Sequence, residues 1–254
     1  MYRLSLTLIF VFIVSSCNQI APSNSNIRAG QTTNEVALAN LDLGIEYMRQ
    51  GAFENALRNL EKAKQADPAY PPIYNVLGLL YQRLGDNNKA EDNFKRALSL
   101  NNNDSSTLNN YGSFLCINNR VDDAEKTYLK AAANPLYESP EIAITNAGLC
   151  LYNNQKYAEA EKYFKQALQL NPRMPQALLK MCEVSFKLPN YLSARAYLQR
   201  YQEVARHTPE SLWLGIQIEN ELGDKDTVSS YALALKNNYP DSEEATQLRD
   251  SRIQ

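Results

Sequence analysis

Apolar residues recur along most of the chain in the pattern of amphipathic helices, and these helices come in pairs. Each pair follows the previous one at an interval of 34 residues, with one slip of two residues near the middle of the chain. Pro68, Pro172 and Pro240 fall between pairs, where proline stops the second helix. The pattern therefore predicts an all-α chain built from helical hairpins.

Small residues mark the same place in successive first helices, where a larger side chain would hold the two helices of a hairpin apart. This series reads Gly44, Gly78, Gly112, Gly148, Cys182 and Ile216. The second helices carry a matching small series, followed four places later by larger side chains that we expect to fill the space between repeats. These two series read Ala56, Ala90, Ala124, Ala160, Ala194 and Val228, then Leu60, Phe94, Tyr128, Phe164, Leu198 and Ala232.

The 34-residue period with its small residues resembles the tetratricopeptide repeat, a family of stacked helical hairpins. We therefore predict a right-handed superhelical solenoid of about six tetratricopeptide repeats over residues 37–240, with a C-terminal cap or tail over 241–254. The six first helices are expected to start at Ala37, Pro71, Ser105, Glu141, Pro175 and Pro209. Such solenoids bind peptides and proteins on a concave face, so we expect the function to lie in a groove.

In tetratricopeptide repeats the second, fifth, ninth and twelfth residues of each first helix line the concave face. These places predict a peptide groove formed by Leu41, Ile45, Met48, Asn75, Leu79, Gln82, Asn109, Ser113, Thr145, Leu149 and Tyr152. Repeats five and six would add Leu179, Glu183, Phe186, Trp213, Gln217 and Asn220. The groove is short of charge, and its apolar groups alternate with side-chain amides that can hold a peptide backbone. Some of these residues are expected to contact only the neighbouring repeat.

The first 16 residues resemble the signal peptide of a bacterial lipoprotein. A basic start at Arg3 precedes an apolar run over residues 4–14, which is too short to span a bilayer. The run ends in Val14-Ser15-Ser16-Cys17, which resembles a lipobox and implies cleavage before Cys17 and acylation of Cys17. A plain secretory signal with a chance cysteine is the alternative.

Asn18 follows Cys17 in place of the aspartate that implies retention at the inner membrane. This favours a lipid anchor in the outer membrane, with the protein on its periplasmic face. Residues 17–36 are small and polar and lack periodicity, so we expect a flexible tether between the membrane and the solenoid.

Three cysteines remain beyond the tether, at the twelfth, tenth and eighth places of successive first helices: Cys116, Cys150 and Cys182. Side chains at these places are expected to point in different directions. We interpret the three as buried or half-buried small hydrophobic groups, and whether any two form a disulfide stays open.

The sequence contains no arrangement typical of catalysis. Its one histidine, His207, falls in the turn between repeats five and six, where we expect a solvated side chain. Phosphate-binding glycine loops, GxSxG and HExxH are absent from the sequence. The net charge of −2 gives no sign of the excess positive charge that nucleic-acid-binding proteins carry. We therefore expect no enzyme, cofactor, metal site or small-molecule substrate.

Three stretches narrow the family. Residues 108–115 read Leu-Asn-Asn-Tyr-Gly-Ser-Phe-Leu, residues 134–140 form an insertion that breaks the period, and the sixth repeat ends in Tyr239-Pro240. Together they resemble the type IV pilus biogenesis and stability lipoproteins, the pilotins. The resemblance implies an outer-membrane lipoprotein that binds secretin subunits, and other pilus assembly proteins, and promotes localisation and multimerisation of the secretin. The alternative is a general scaffold lipoprotein that recruits envelope or cell-wall assembly proteins.

Overall fold

A computed structural model describes residues 32–251, which form thirteen α-helices and no strands. The predicted signal peptide, Cys17 and most of the predicted tether lie outside these residues. The helices are α1 (Glu35–Arg49), α2 (Phe53–Ala66), α3 (Pro71–Arg83), α4 (Asn87–Leu100), α5 (Ser105–Ile117), α6 (Val121–Ala132), α7 (Pro140–Asn153), α8 (Tyr157–Leu170), α9 (Pro175–Lys187), α10 (Tyr191–Gln202), α11 (Pro209–Leu222), α12 (Lys225–Asn238) and α13 (Glu243–Asp250).

Local sequence signals set the helix ends. Asp104 caps α5, since its carboxylate accepts a hydrogen bond from the backbone N–H of Thr107 at 3.0 Å. Pro71 and Pro175 occupy first helical positions, where a missing N–H costs nothing. The turn inside the second hairpin passes through Gly85 with φ of +77°. Glycine adopts this left-handed conformation easily because it has no Cβ.

The glycines of the first helices allow each hairpin to close, as predicted. A Cβ built on Gly112 would lie 2.8 Å from the ring of Tyr128, and one on Gly78 would lie 2.8 Å from the ring of Phe94. The large residues of the second helices therefore cover the glycine of their own repeat. They also fill the space between repeats, since the ring centroid of Phe94 lies 5.6 Å from that of Phe114 in the next repeat.

The predicted register is wrong by one residue in the sixth repeat. The close approach is made by Gly215, whose added Cβ would lie 3.0 Å from the ring of Tyr231. Ile216, predicted at the close approach, and Ala232, predicted in the series that fills the space between repeats, each follow one residue later. The turn glycine lies 14 residues after the first proline in both the second and the sixth repeat, but Gly215 stands one place nearer the helix start than Gly78 does, so eight residues separate it from the turn at Gly223. Seven residues separate the corresponding glycines in the second repeat.

The hairpins stack into an all-α superhelical solenoid. The backbones of neighbouring first helices, α1 to α11 in odd numbers, approach one another closely, whereas those of successive second helices lie farther apart and meet through long side chains such as Tyr163 of α8 and Glu125 of α6. The first helices therefore form the inner, more closely spaced row, and they line the concave face.

The C-terminal end of the solenoid is covered by a short helix. Helix α13 packs on α11 and α12 through the buried side chains of Ala245 and Leu248. No helix within residues 32–251 has the length and apolarity needed to cross a membrane.

Candidate peptide-binding groove

Four apolar side chains of the predicted groove are half-buried and accessible on the first helices: Ile45, Leu79, Leu149 and Tyr152. Asn75, Asn109, Gln82 and Ser113 are half-buried among them. The inner row therefore offers apolar groups interrupted by amides and one hydroxyl over the first four repeats.

Three predicted groove residues belong to the core instead. Leu41 and Met48 are 1% and 6% exposed because they pack in the apolar cluster of the first two repeats. Thr145 is fully buried, and its hydroxyl donates to the carbonyl oxygen of Glu141 at 2.7 Å. The fifth and twelfth places of a first helix border the next repeat, so a well-fitting apolar side chain there enters the core.

Asparagine side chains link the first helices of repeats two, three and four. The Nδ2 of Asn110 donates to Oδ1 of Asn75 at 3.1 Å, and the Nδ2 of Asn146 donates to Oδ1 of Asn109 at 3.0 Å. We call these four residues the asparagine ladder. Asn110 and Asn146 occupy the sixth place of their helices, which the groove prediction missed, although their 36-residue separation repeats the spacing of Gly112 and Gly148.

The ladder leaves hydrogen-bonding capacity for a ligand. An amide has two N–H donors and an oxygen with two lone pairs. In the ladder, Asn75 and Asn109 contribute their oxygens, so their N–H₂ groups remain for a ligand carbonyl. Asn110 and Asn146 contribute one N–H, so their oxygens remain for a ligand N–H. A peptide backbone needs this alternation of donors and acceptors.

The hydroxyl of Ser113 is already engaged within the fold. Ser113 donates to the carbonyl oxygen of Asn109 at 3.2 Å and accepts from the hydroxyl of Tyr128 at 2.9 Å. Burial raises the pKa of Tyr128 to about 12, so this hydroxyl stays protonated and remains a donor. Ser113 therefore contributes shape to the groove more than free hydrogen-bonding capacity.

The groove carries one ion pair where repeat four meets repeat five. Lys180 lies 2.6 Å from a carboxylate oxygen of Glu183 and 5.0 Å from the ring centroid of Tyr152. Burial and the nearby charge of Glu183 raise the pKa of Tyr152. The pair leaves little net charge, in agreement with the predicted low charge of the groove. Lys180 occupies the sixth place of its helix and was missed for the same reason as Asn110.

Sequence comparison connects this chain to proteins of pilus assembly. Tetratricopeptide repeat models match residues 44–85, 71–104 and 142–174. The chain is 30% identical over 236 residues to the type IV pilus assembly protein PilF of Pseudomonas aeruginosa. The aligned region covers 92% of this chain and 94% of that protein. The chain belongs to the PilF family of tetratricopeptide-repeat proteins of type IV pilus biogenesis.

Two solved structures of this family have the same fold. The structure of Pseudomonas aeruginosa PilF superposes with a TM-score of 0.73 at 31% identity, over 85% of this chain and 97% of that one. The structure of PilW, described as a widely conserved type IV pilus biogenesis factor, gives a TM-score of 0.76 at 32% identity. It covers 85% of this chain and 99% of PilW.

In this PilF-family chain the expectation that the three cysteine side chains point in different directions is wrong for two of them. Cys116 and Cys150 form a disulfide between α5 and α7, with Cα atoms 5.8 Å apart. Cys116 stands at the twelfth place of α5 and Cys150 at the tenth place of α7, and the neighbouring first helices bring these two places together. Cys182 is a buried free thiol, as predicted, and burial raises its pKa.

The expectation of a solvated histidine is also wrong. The Nδ1 atom of His207 lies 3.0 Å from the hydroxyl oxygen of Ser211, and its ring packs edge-on against Tyr231 with centroids 5.6 Å apart. Desolvation lowers the pKa of His207. The side chain joins the last two repeats and lies outside the groove. Residues 32–251 hold no cluster of His, Cys, Asp and Glu that could bind a metal ion.

Proposed function

We propose that this PilF-family protein is an outer-membrane lipoprotein that binds secretin subunits in its concave groove and promotes their localisation and multimerisation. The observation that carries the proposal is the apolar row of Ile45, Leu79, Leu149 and Tyr152 beside the asparagine ladder. This arrangement suits an extended or helical segment with apolar anchors, whose backbone pairs with the unused amide groups. No catalytic step is part of the proposed function.

Reversible binding is sufficient for this role. A groove that holds a segment of an unassembled secretin subunit keeps that segment from incorrect pairing. The completed secretin ring must then bind the same segment more strongly than the groove does, so that the subunit is released. The nearly neutral groove fits this requirement, because its contacts with the ligand would be apolar and amide-mediated rather than strongly ionic.

Two observations support the proposed periplasmic location and lipid anchor. Residues 14–17 match a lipobox that ends in Cys17, and the disulfide between Cys116 and Cys150 is typical of proteins in oxidising compartments. We predict that Cys17→Ala abolishes incorporation of labelled palmitate and moves the protein out of the outer-membrane fraction. Palmitate labelling of the variant would contradict the proposed anchor, and a Cys182→Ala variant is the control that should keep both properties.

The groove is tested with the double variant Leu79→Glu, Asn109→Ala in cells that assemble type IV pili. We predict loss of the heat-resistant secretin multimer on a gel, because a carboxylate replaces an apolar anchor and one ladder amide is removed. The variant should remain folded by circular dichroism, since both side chains are half-buried and only Leu79 of the two packs against the apolar core.

The matched control is Leu192→Glu, which changes an exposed leucine on the outer helix α10 and should leave secretin multimers unchanged. Normal multimers in a folded double variant would show that the partner uses another surface. Copurification of the wild-type protein with a cell-wall or barrel-assembly factor, and no secretin, would favour the scaffold alternative.

A further inference from the structure

The N-terminal end of the solenoid exposes a helix face that every other repeat buries. In the second to fifth repeats, the seventh residue of the first helix is at most 9% exposed: Leu77, Tyr111, Ala147 and Met181. The equivalent residue of α1, Leu43, is 48% exposed, and Val36 one heptad earlier is 60% exposed. The face of α1 is therefore exposed, whereas the equivalent face of the first helix in later repeats is buried.

The covering element in the other repeats is the second helix of the preceding hairpin. Between repeats two and three, the ring of Phe94 on α4 lies 5.7 Å from the ring of Tyr111 and 5.6 Å from that of Phe114 on α5. Tyr111 also donates from its hydroxyl to Glu91 of α4 at 2.9 Å. A helix laid across Leu43 would make the contacts that α4 makes on α5.

The face of α1 is apolar along its centre and acidic along one side. At 100° per residue, Val36, Ala39, Leu43 and Tyr47 form one strip, which we call the open face. The exposed carboxylates of α1 lie along one flank of this strip: Glu35, Asp42 and Glu46, of which Glu46 is paired with Arg49 at 3.0 Å. Glu46 replaces the buried apolar residue that this tenth place holds in the later first helices.

We propose that the open face binds an amphipathic helix of another protein, with an apolar stripe flanked by Lys or Arg. Such a helix would stack on α1 as a second helix does within the solenoid, and its basic side would meet the three carboxylates. This surface is at the end of the stack, apart from the groove, and the inference does not rest on secretin binding.

Two other occupants fit the open face less well. In residues 17–30, which precede α1, Pro22 and Gly30 favour a tether over a covering helix. A second copy cannot stack end to end as a repeat does, because α13 covers the other end. Antiparallel pairing of two open faces would place their carboxylate rows side by side, which like charges oppose.

The binding test uses the full chain and a fluorescein-labelled, helix-stabilised peptide. The peptide keeps Phe94 and Leu98, with which α4 packs on α5, and carries Lys at the flanking positions, while a twin carries Glu there. By fluorescence anisotropy we expect the Lys peptide to bind about tenfold more tightly than the Glu peptide.

Leu43→Glu should weaken binding of the Lys peptide by a further factor of about ten, since it adds a charge at the centre of the apolar strip. Leu192→Glu, which changes an exposed leucine on α10, should leave the affinity unchanged. No binding, equal affinity for the two peptides, or no effect of Leu43→Glu would overturn the proposal.

A photoreactive amino acid at position 43 in cells identifies the occupant. We expect a crosslink to a basic amphipathic helix of a different protein, located by mass spectrometry of the crosslinked peptide. A crosslink to residues 17–31 of the same chain, to a second copy, to a segment of another character, or to nothing would each refute the proposed partner.

Discussion

Two opposing effects, helix propensity and overpacking, decide the stability of the Gly112→Ala variant. The sign of its change in stability shows which effect is larger. Replacing a helical glycine with alanine stabilises a helix by about 0.5–1 kcal/mol when there is room for the methyl group. At Gly112 that methyl group would lie 2.8 Å from the ring of Tyr128, which is buried and cannot move aside freely. Overpacking of this kind costs about 1–3 kcal/mol.

The net result for Gly112→Ala is therefore a loss of about 1 kcal/mol, which lowers Tm by about 2–4 °C in a chain of this size. Gly112→Leu should lower Tm further, because its larger side chain meets the same ring. Circular dichroism melts or calorimetry on purified variants measure both effects. Secretin multimers should persist at temperatures where the variants are folded, since Gly112 is buried between helices.

A second-site change tests the cause. The three atoms nearest to a Cβ on Gly112 all belong to the ring of Tyr128. A facing leucine would not relieve the contact, since a Cβ on Gly44 would lie 2.6 Å from Leu60. In a Tyr128→Ala background, Gly112→Ala should therefore cost less than in the wild type, by about 1 kcal/mol. A higher Tm for Gly112→Ala in the wild-type background would refute the close approach, since helix propensity alone would then decide the result.

Two further predictions concern the disulfide and the pH dependence of stability. The disulfide joins residues 34 apart, so Cys116→Ser, Cys150→Ser should lose up to about 4 kcal/mol by chain entropy, and a reductant should lower Tm of the wild type but not of this variant. Arg120, with Lys95 and Tyr111, holds the pKa of Glu91 at about 2, so its contribution is complete above the ordinary carboxyl pKa near 4.5 and disappears as the pH falls towards 2. Glu91→Gln should therefore lower Tm by about 2–4 °C at pH 6 and by much less at pH 2; an equal loss at both pH values would contradict the ion pair.

The repeat period predicts the fold because steric limits act at the same place in every hairpin. Gly44, Gly78, Gly112 and Gly148 each face a large side chain 16 residues later, and this distance is readable from the sequence. The sixth repeat departs from the prediction because Gly215 stands one place nearer the start of its first helix than the glycines of the earlier repeats. One place along a helix is a rotation of about 100°, so a fixed count from the helix start selects the wrong side chain there.

The groove is predicted less completely, because contacts between repeats decide which first-helix residues stay accessible and which pack into the core. A fixed set of helix positions cannot separate Leu79, which stays accessible, from Leu41, which packs into the core. The same limit hid the pairing of Asn110 with Asn75 and of Cys116 with Cys150. Both pairs join different places on neighbouring first helices, and their partners depend on how far one hairpin is rotated against the next.

The central claim is that the concave groove holds a secretin subunit, and crosslinking from Leu79 tests it most directly. A photoreactive amino acid at position 79 in piliated cells, followed by mass spectrometry, should yield a secretin peptide with apolar anchors. The same amino acid at position 192, on the outer helix α10, should yield no secretin. Secretin captured equally from both positions, or from position 192 alone, would contradict binding in the groove.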